Sequence, residues 1–191
     1  GVLAPYFIYA ANNIPFTLIF TVVAKISGLI GVKNTTLLLN VFQCVLIDLA
    51  ILAVTFILKK ENKRSTVSYL LLIFLLYSTI SIFGVNIYTD VTSTCFAVYG
   101  AFFFYAYLKN DKNYLLVLSG ILEAFAYLAK MNLIIMSISI VLILAISEYK
   151  ILKKMKILLV FTLSFALIVG MYHFGVNKLQ EQSYTSEQIT E

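Results

Sequence analysis

The sequence predicts an all-α membrane protein: a polytopic transmembrane helix bundle with an interfacial helix near its N-terminus. Apolar residues make up 61% of the chain and charged residues only 12%, whereas a soluble domain is roughly half apolar and about a quarter charged. The mean hydropathy is +0.96. The apolar residues also occur in long runs, and a helix needs about 20 of them to cross a bilayer.

The first apolar segment, 14–31, is predicted to be the interfacial helix. A polar stripe runs along it at every fourth position, formed by Thr17, Thr21 and Lys25. A helix with one polar face can lie flat in the membrane surface, and we expect this one to lie on the outer side. If it crossed the membrane instead, its capping residues Asn12 and Asn13 would fall on the cytoplasmic side.

Six membrane spans are predicted after this helix, and with it they form a single bundle over residues 1–176. They are 37–58, 67–86, 91–108, 114–129, 133–147 and 156–176. The fourth and fifth come from one apolar stretch that is too long for a single span and is interrupted at Lys130. Each half is slightly short, so the turn between them should lie below the membrane surface, where irregular backbone must be buried or line a cavity. Residues 177–191 are expected to begin a truncated extracytoplasmic segment.

The basic residues predict the orientation of the spans. Ten of the fourteen Lys and Arg residues lie in three loops, at 59–66, 109–113 and 148–156. All three loops fall on one side if each span crosses once, and the positive-inside rule assigns that side to the cytoplasm of a cell membrane. This asymmetry explains the net charge of +5, so we expect no nucleic-acid partner.

Asp90 and Lys130 are the candidate site residues on the opposite, extracytoplasmic side. Asp90 follows Tyr88 at the junction of two spans, and Lys130 precedes Asn132 in the recessed turn. A charge left in hydrocarbon costs about 3 kcal/mol. A charged residue at the edge of the hydrocarbon layer is therefore either an ordinary loop residue or part of a site.

The two residues suit a transferase that uses a lipid-phosphate-linked sugar. A cation such as Lys130 can hold a phosphate leaving group, and a carboxylate such as Asp90 can orient an acceptor hydroxyl or take its proton. Two simpler interpretations stay open. Asp90 can cap the helix that follows it, and Lys130 can extend its amine to the lipid head groups.

Other polar residues inside the spans carry weaker signals. Asp48 and Glu123 are mid-span acids, which form either a proton or ion relay or hydrogen bonds between helices. His173 has no neighbouring His or Cys, so a zinc site is not expected. Cys44 and Cys95 lie in apolar segments and are interpreted as apolar filler, without a disulfide or metal site.

Several short segments, taken in order, resemble the core of the GT-C membrane glycosyltransferases, in particular the protein-mannosyltransferase-like group of Gram-positive bacteria. The segments are Pro5-Tyr6, Asn12-Asn13-Ile14-Pro15-Phe16, Tyr88-Thr89-Asp90, Ser119-Gly120-Ile121-Leu122 and Ala129-Lys130-Met131-Asn132. The resemblance covers most of the chain.

The resemblance implies transfer of a sugar from a polyprenyl-phosphate donor to an acceptor on the extracytoplasmic face of the cell envelope. Asp90 would be the catalytic acid of the second outer loop. Lys130 would bind the lipid phosphate, with Tyr88 and Asn132 as further substrate-binding residues. The expected partners are the lipid-linked sugar donor and membrane lipids. The chain has no metal signature, and only analogy with the family leaves room for a divalent cation.

The chain departs from the family at its N-terminal end. The first span is missing, and residues 1–36 contain no Asp or Glu, so the principal catalytic acid is absent. We therefore expect a fragment that is inactive by itself. Two other functions are open. A lipid-linked-sugar flippase or solute transporter would use Asp48 and Glu123 along one path and show an internal repeat, which is not visible. A non-catalytic membrane subunit would lack the first-loop acid altogether.

Overall fold

The computed structural model describes residues 14–32, 34–61 and 89–190, and within these ranges it is helical without strands. The elements are α1 (Ile14–Leu29), α2 (Thr35–Glu61), α3 (Thr89–Asn110), α4 (Asn113–Ala129), a 3-10 turn (Met131–Leu133), α5 (Ile134–Ile146) and α6 (Ile151–Thr190). The predicted fold class, an all-α membrane helix bundle, is confirmed.

Three of these helices are long and apolar enough to cross a membrane. The segments are Thr35–Lys60, Asp90–Asn110 and Ile151–Lys178. α1, α4 and α5 are shorter apolar helices, and the flat orientation of α1 stays a prediction. The expected span 67–86 lies outside the described residues. The three long apolar helices identify the chain as a membrane protein.

α2 and α3 run parallel to one another. In the N-terminal half of both helices, the Gln43 Nε2 donates a hydrogen bond to the Thr92 Oγ1 at 3.1 Å. Further along both helices, the ring centroids of Phe56 and Phe102 lie 6.1 Å apart. Buried apolar side chains fill the contact between these points: Ile47, Ala50, Ile51, Val91 and Cys95. The N-terminal ends of both helices therefore lie at the same end of the bundle.

α3 and α4 form an antiparallel hairpin around Asp111, which has the left-handed backbone angle φ 55° that Asp adopts more readily than most residues. The Lys153 Nζ of α6 lies 3.0 Å from the Asp111 carboxylate. This contact lowers the pKa of Asp111 below its usual value and joins the start of α6 to the hairpin loop. Lysines from three connections thus share this end, which we call the basic end: Lys59, Lys60, Lys109, Lys112, Lys150, Lys153, Lys154 and Lys156.

α4 lies between α3 and α6 and approaches α6 closely at Gly120. A Cβ atom at Gly120 would lie 2.7 Å from the Phe161 carbonyl oxygen and 2.8 Å from the Ser164 Cβ. Small residues allow membrane helices to approach backbone to backbone, which increases van der Waals contact where no hydrophobic driving force operates. Gly120 therefore determines how tightly α4 packs in the bundle.

α6 is longer than the apolar stretch from which it was predicted. It begins at Ile151 and continues to Thr190, whereas the apolar stretch covers 156–176. Lysine is a good helix former, so the lysines before Ile157 do not interrupt the helix. Hydropathy marks the part of a helix that fits in lipid and not the points where the helix begins and ends. Residues 177–190 continue α6, and their expected place in an extracytoplasmic segment stays a prediction.

Candidate functional site

Asp90 lies in the first turn of α3, at the end of the bundle opposite the basic end. Its backbone carbonyl accepts hydrogen bonds from the Ser93 Oγ at 2.9 Å and the Thr94 Oγ1 at 2.8 Å. The positive end of the helix dipole favours a carboxylate in this turn. Ser93 is buried while the Asp90 side chain is about half exposed. The turn therefore fixes the backbone and leaves the carboxylate facing outward.

Lys130 lies between α4 and α5 in an extended conformation, with φ −146° and ψ 103°. Its backbone N–H donates to the Ala126 carbonyl at 2.9 Å, and its carbonyl accepts from the Leu133 N–H at 2.9 Å. One residue thus ends α4 and begins the 3-10 turn that leads into α5. The position is held by backbone hydrogen bonds on both sides, so the side chain is free to reach α3.

An ion pair joins these two residues. The Lys130 Nζ lies 2.5 Å from the Asp90 Oδ2, and the side chains are 39% and 51% exposed, respectively. An ion pair this exposed contributes only about 0–1 kcal/mol to stability. A ligand carrying negative charge can therefore compete with Asp90 for the amine without unfolding the site.

The other two predicted site residues, Asn132 and Tyr88, are not seen in this ion pair. Asn132 is exposed in the 3-10 turn, two residues after Lys130. Tyr88 lies outside the described residues. The roles assigned to Asp90, Lys130, Tyr88 and Asn132 stay predictions.

Buried polar residues support the first turn of α3. Thr92 and Ser93 are fully buried, and Thr92 accepts the hydrogen bond from Gln43 of α2, which is also fully buried. Gln43 was not among the site residues predicted from sequence. The available signal was its polarity in an apolar segment, because buried polar groups in a membrane need partners on neighbouring helices.

The two mid-span acids differ in their surroundings. Glu123 is fully buried, and its Oε2 accepts a hydrogen bond from the Ser137 Oγ at 3.2 Å, which agrees with a hydrogen bond between helices. Asp48 is exposed among the described residues. The two acids thus do not meet along one path within the described part of the bundle, as the transporter interpretation requires.

In the described part of the chain, no metal-binding cluster lies at the ion pair, and a prominent cavity lies elsewhere. Within residues 14–32, 34–61 and 89–190, no group of three or more His, Cys, Asp or Glu is placed to hold a metal ion. A cavity of about 650 Å³ lies between α2 and α3, towards the basic end, with Lys59, Phe56 and Phe102 in its lining. This cavity is apolar, and the lining residue of α3 nearest to Asp90 in sequence is Tyr99, nine residues further along the helix.

Comparison with known proteins identifies a family. The chain matches the family described as dolichyl-phosphate-mannose-protein mannosyltransferase over residues 15–173. No curated protein and no solved structure matches the chain. The family match covers the bundle from α1 into the second half of α6, including Asp90 and Lys130, and it supports a membrane glycosyltransferase-like function. Because it spans well over half of the sequence, the chain belongs to the dolichyl-phosphate-mannose-protein mannosyltransferase family.

Proposed function

We propose that the protein transfers a sugar from a polyprenyl-phosphate-linked donor to an acceptor on the extracytoplasmic face of the cell membrane. The observation that carries the proposal is the ion pair between Asp90 and Lys130, 2.5 Å apart at the end of the bundle away from the basic residues. Membership of a mannosyltransferase family supports the reaction class. The positive-inside rule supports the choice of face, because the basic end would be cytoplasmic.

The proposed reaction is a direct displacement with inversion at the anomeric carbon. The acceptor oxygen forms a bond to that carbon while the bond from carbon to the phosphate oxygen breaks, and the phosphate leaves with its negative charge. Lys130 binds this phosphate, since a cation aimed at developing charge stabilises the transition state. Asp90 orients the acceptor hydroxyl or receives its proton. It acts as a supporting acid, since the resemblance assigns the principal acid to an earlier outer loop.

The ion pair also explains how both groups are kept ready before substrate binds. Each charge neutralises the other near the lipid boundary, where an isolated charge is costly. When the donor phosphate binds, it replaces Asp90 as the partner of the Lys130 amine, and the carboxylate becomes available to the acceptor. The partial exposure of both side chains permits this exchange.

Substitution of either residue tests the proposed function. In the full-length protein, Asp90→Asn and Lys130→Ala should each lower sugar transfer by about 100-fold or more at normal expression, because each removes a charge used in the transition state. Transfer is measured from a radiolabelled polyprenyl-phosphate sugar in membranes. Asp111→Asn and Lys153→Ala break the ion pair at the basic end and should leave transfer near the wild-type rate. Full activity in both site variants would overturn the assignment.

Cysteine labelling tests the face of the membrane independently of activity. Asn132 and Lys150 are both exposed and lie at opposite ends of α5, so each is replaced by cysteine in a chain carrying Cys44→Ser. A membrane-impermeant maleimide should label Asn132→Cys in intact cells and Lys150→Cys only after permeabilisation. The opposite pattern would put the ion pair in the cytoplasm and contradict the proposed donor face.

A further inference from the structure

Glu123 is a buried acid that the proposed chemistry does not use. It lies in the middle of α4 with its side chain fully buried. Its Oε2 accepts the hydrogen bond from Ser137 of α5, and its Oε1 is buried without a hydrogen-bond partner among the described residues.

The carboxyl group of Glu123 occupies a notch in α3 that exists because residue 100 is glycine. A Cβ atom at Gly100 would lie 2.7 Å from both the Cγ and the Oε1 of Glu123. One turn earlier in α4, the Ser119 Oγ donates to the Gly100 carbonyl at 2.8 Å. Glu123 therefore joins α4 to two other helices, α3 through the notch and α5 through Ser137.

The positions of these contacts in the chain place them symmetrically around Lys130. Glu123 lies seven residues before Lys130 and Ser137 seven residues after it, so each is about two helical turns from the bend between α4 and α5. The hydrogen bond between them closes that bend. Gly100 belongs to the same helix as Asp90. The three contacts thus connect the helix that carries Asp90 with both helices that flank Lys130.

The buried carboxyl group is costly here, because its Oε1 has no hydrogen-bond partner among the described residues. Replacing both partners of a buried hydrogen bond by apolar groups of the same shape can be nearly neutral or stabilising. An apolar residue, however, has no directional contact with Ser137. Glutamate, unlike an apolar residue, accepts a hydrogen bond that fixes the bend between α4 and α5. This bend places the amine of Lys130 beside Asp90.

We propose that Glu123 is a positioning residue for the Asp90–Lys130 site. Its carboxyl group, held in the Gly100 notch and hydrogen-bonded by Ser137, sets the angle between α4 and α5 and so holds Lys130 within reach of Asp90. Its importance for sugar transfer rests on the proposed function, whereas its effect on the geometry of the ion pair does not.

Zero-length crosslinking measures that geometry directly. A water-soluble carbodiimide joins a carboxylate to an amine only when the two are in contact, and the described part of the chain contains two partly exposed pairs, Asp90–Lys130 and Asp111–Lys153. Both amide links can be quantified by mass spectrometry in the same sample of full-length protein. The second pair lies at the basic end and serves as the internal control.

Glu123→Ala should reduce the Asp90–Lys130 link by about tenfold, because coupling depends steeply on the position of the reacting groups, and should leave the Asp111–Lys153 link unchanged. Glu123→Gln should retain both links, because the amide keeps the shape and can accept the hydrogen bond from Ser137. An unchanged Asp90–Lys130 link in Glu123→Ala, or equal loss of it in Glu123→Gln, would overturn the proposal.

A milder variant decides the case in which Glu123→Ala fails to fold and loses both links. Ser137→Ala removes only the hydroxyl that closes the bend, and it should lower the Asp90–Lys130 link while the control link persists. A full Asp90–Lys130 link in Ser137→Ala would then reject the proposal.

Transfer assays separate this proposal from the proposed function. In Glu123→Ala, the KM for the lipid-linked donor should rise more than kcat falls, because a displaced Lys130 binds the phosphate poorly, and Glu123→Gln should restore the KM. If the links change as expected but the wild-type protein transfers no sugar, the proposed function fails and the positioning role stands.

Discussion

Replacement of Gly120 by alanine is expected to lower the free energy of unfolding by about 1–3 kcal/mol, the usual effect of an overfilled core. The added Cβ would lie 2.7 Å from the Phe161 carbonyl oxygen. That atom belongs to the backbone of α6 and cannot rotate away as a side chain can. α4 and α6 must therefore separate along their contact, and buried neighbours such as Leu116 and Ile157 lose packing on both sides. Gly120→Leu should prevent recovery of folded protein.

The measurement is the midpoint of thermal unfolding in detergent, with Gly170→Ala as the matched control. Gly170 is in α6 and has nothing within 4 Å of the position of an added Cβ. Alanine is favoured over glycine in a helix by about 1 kcal/mol, so the control should keep or raise the midpoint. An unfolding midpoint of Gly120→Ala equal to that of Gly170→Ala would contradict the close approach of α4 and α6.

Exchange of the two charges in the ion pair is expected to separate its structural role from its chemical role. In Lys130→Asp two carboxylates face each other, and in Asp90→Lys two amines do. Each single variant should therefore lose transfer by about 100-fold or more. The double variant Asp90→Lys with Lys130→Asp restores opposite charges at the same place. It should regain the stability of the wild type but no transfer, because the phosphate would then meet a carboxylate where it needs an amine.

Thermal unfolding and donor transfer are compared across the four proteins of this cycle. The stability differences should be small, since a pair this exposed contributes about 0–1 kcal/mol, and the two single effects should not add. Recovery of transfer in the double variant would show that the pair serves only to hold α3 against the bend, and would contradict the proposed roles.

The arrangement of the candidate site was partly predictable from sequence. Apolar segment lengths and loop charges were enough to predict that Asp90 and Lys130 face the same side. They could not predict that the two side chains touch, because the contact depends on how α3 and α4 pack and where the 3-10 turn begins. A distance of 2.5 Å between residues forty positions apart is a property of packing, which hydropathy does not encode.

Glu123 and Gly120 illustrate the same limit within the spans. A mid-span acid predicts some polar contact, but only the structure identifies the partner as Ser137 and the notch as Gly100. Gly120 was noted as part of a short motif, without any indication of which helix it faces. Both contacts depend on which helix faces meet and how closely the helices approach. A nearly uniform apolar sequence has little periodicity from which either could be predicted.

The length of α4 has a consequence for where the proposed reaction would take place. Its 17 residues extend about 25 Å, which is roughly 5 Å less than the hydrocarbon thickness of a typical bilayer. Measured from the basic end, the bend at Lys130 is therefore about one helical turn short of the far membrane surface. A charged side chain is costly in hydrocarbon, so we expect water to reach down to Lys130 in a shallow depression of the boundary between lipid and water. If the proposed function holds, a donor anchored by its lipid tail would not need to rise out of the membrane to react, because the aqueous acceptor could descend to it.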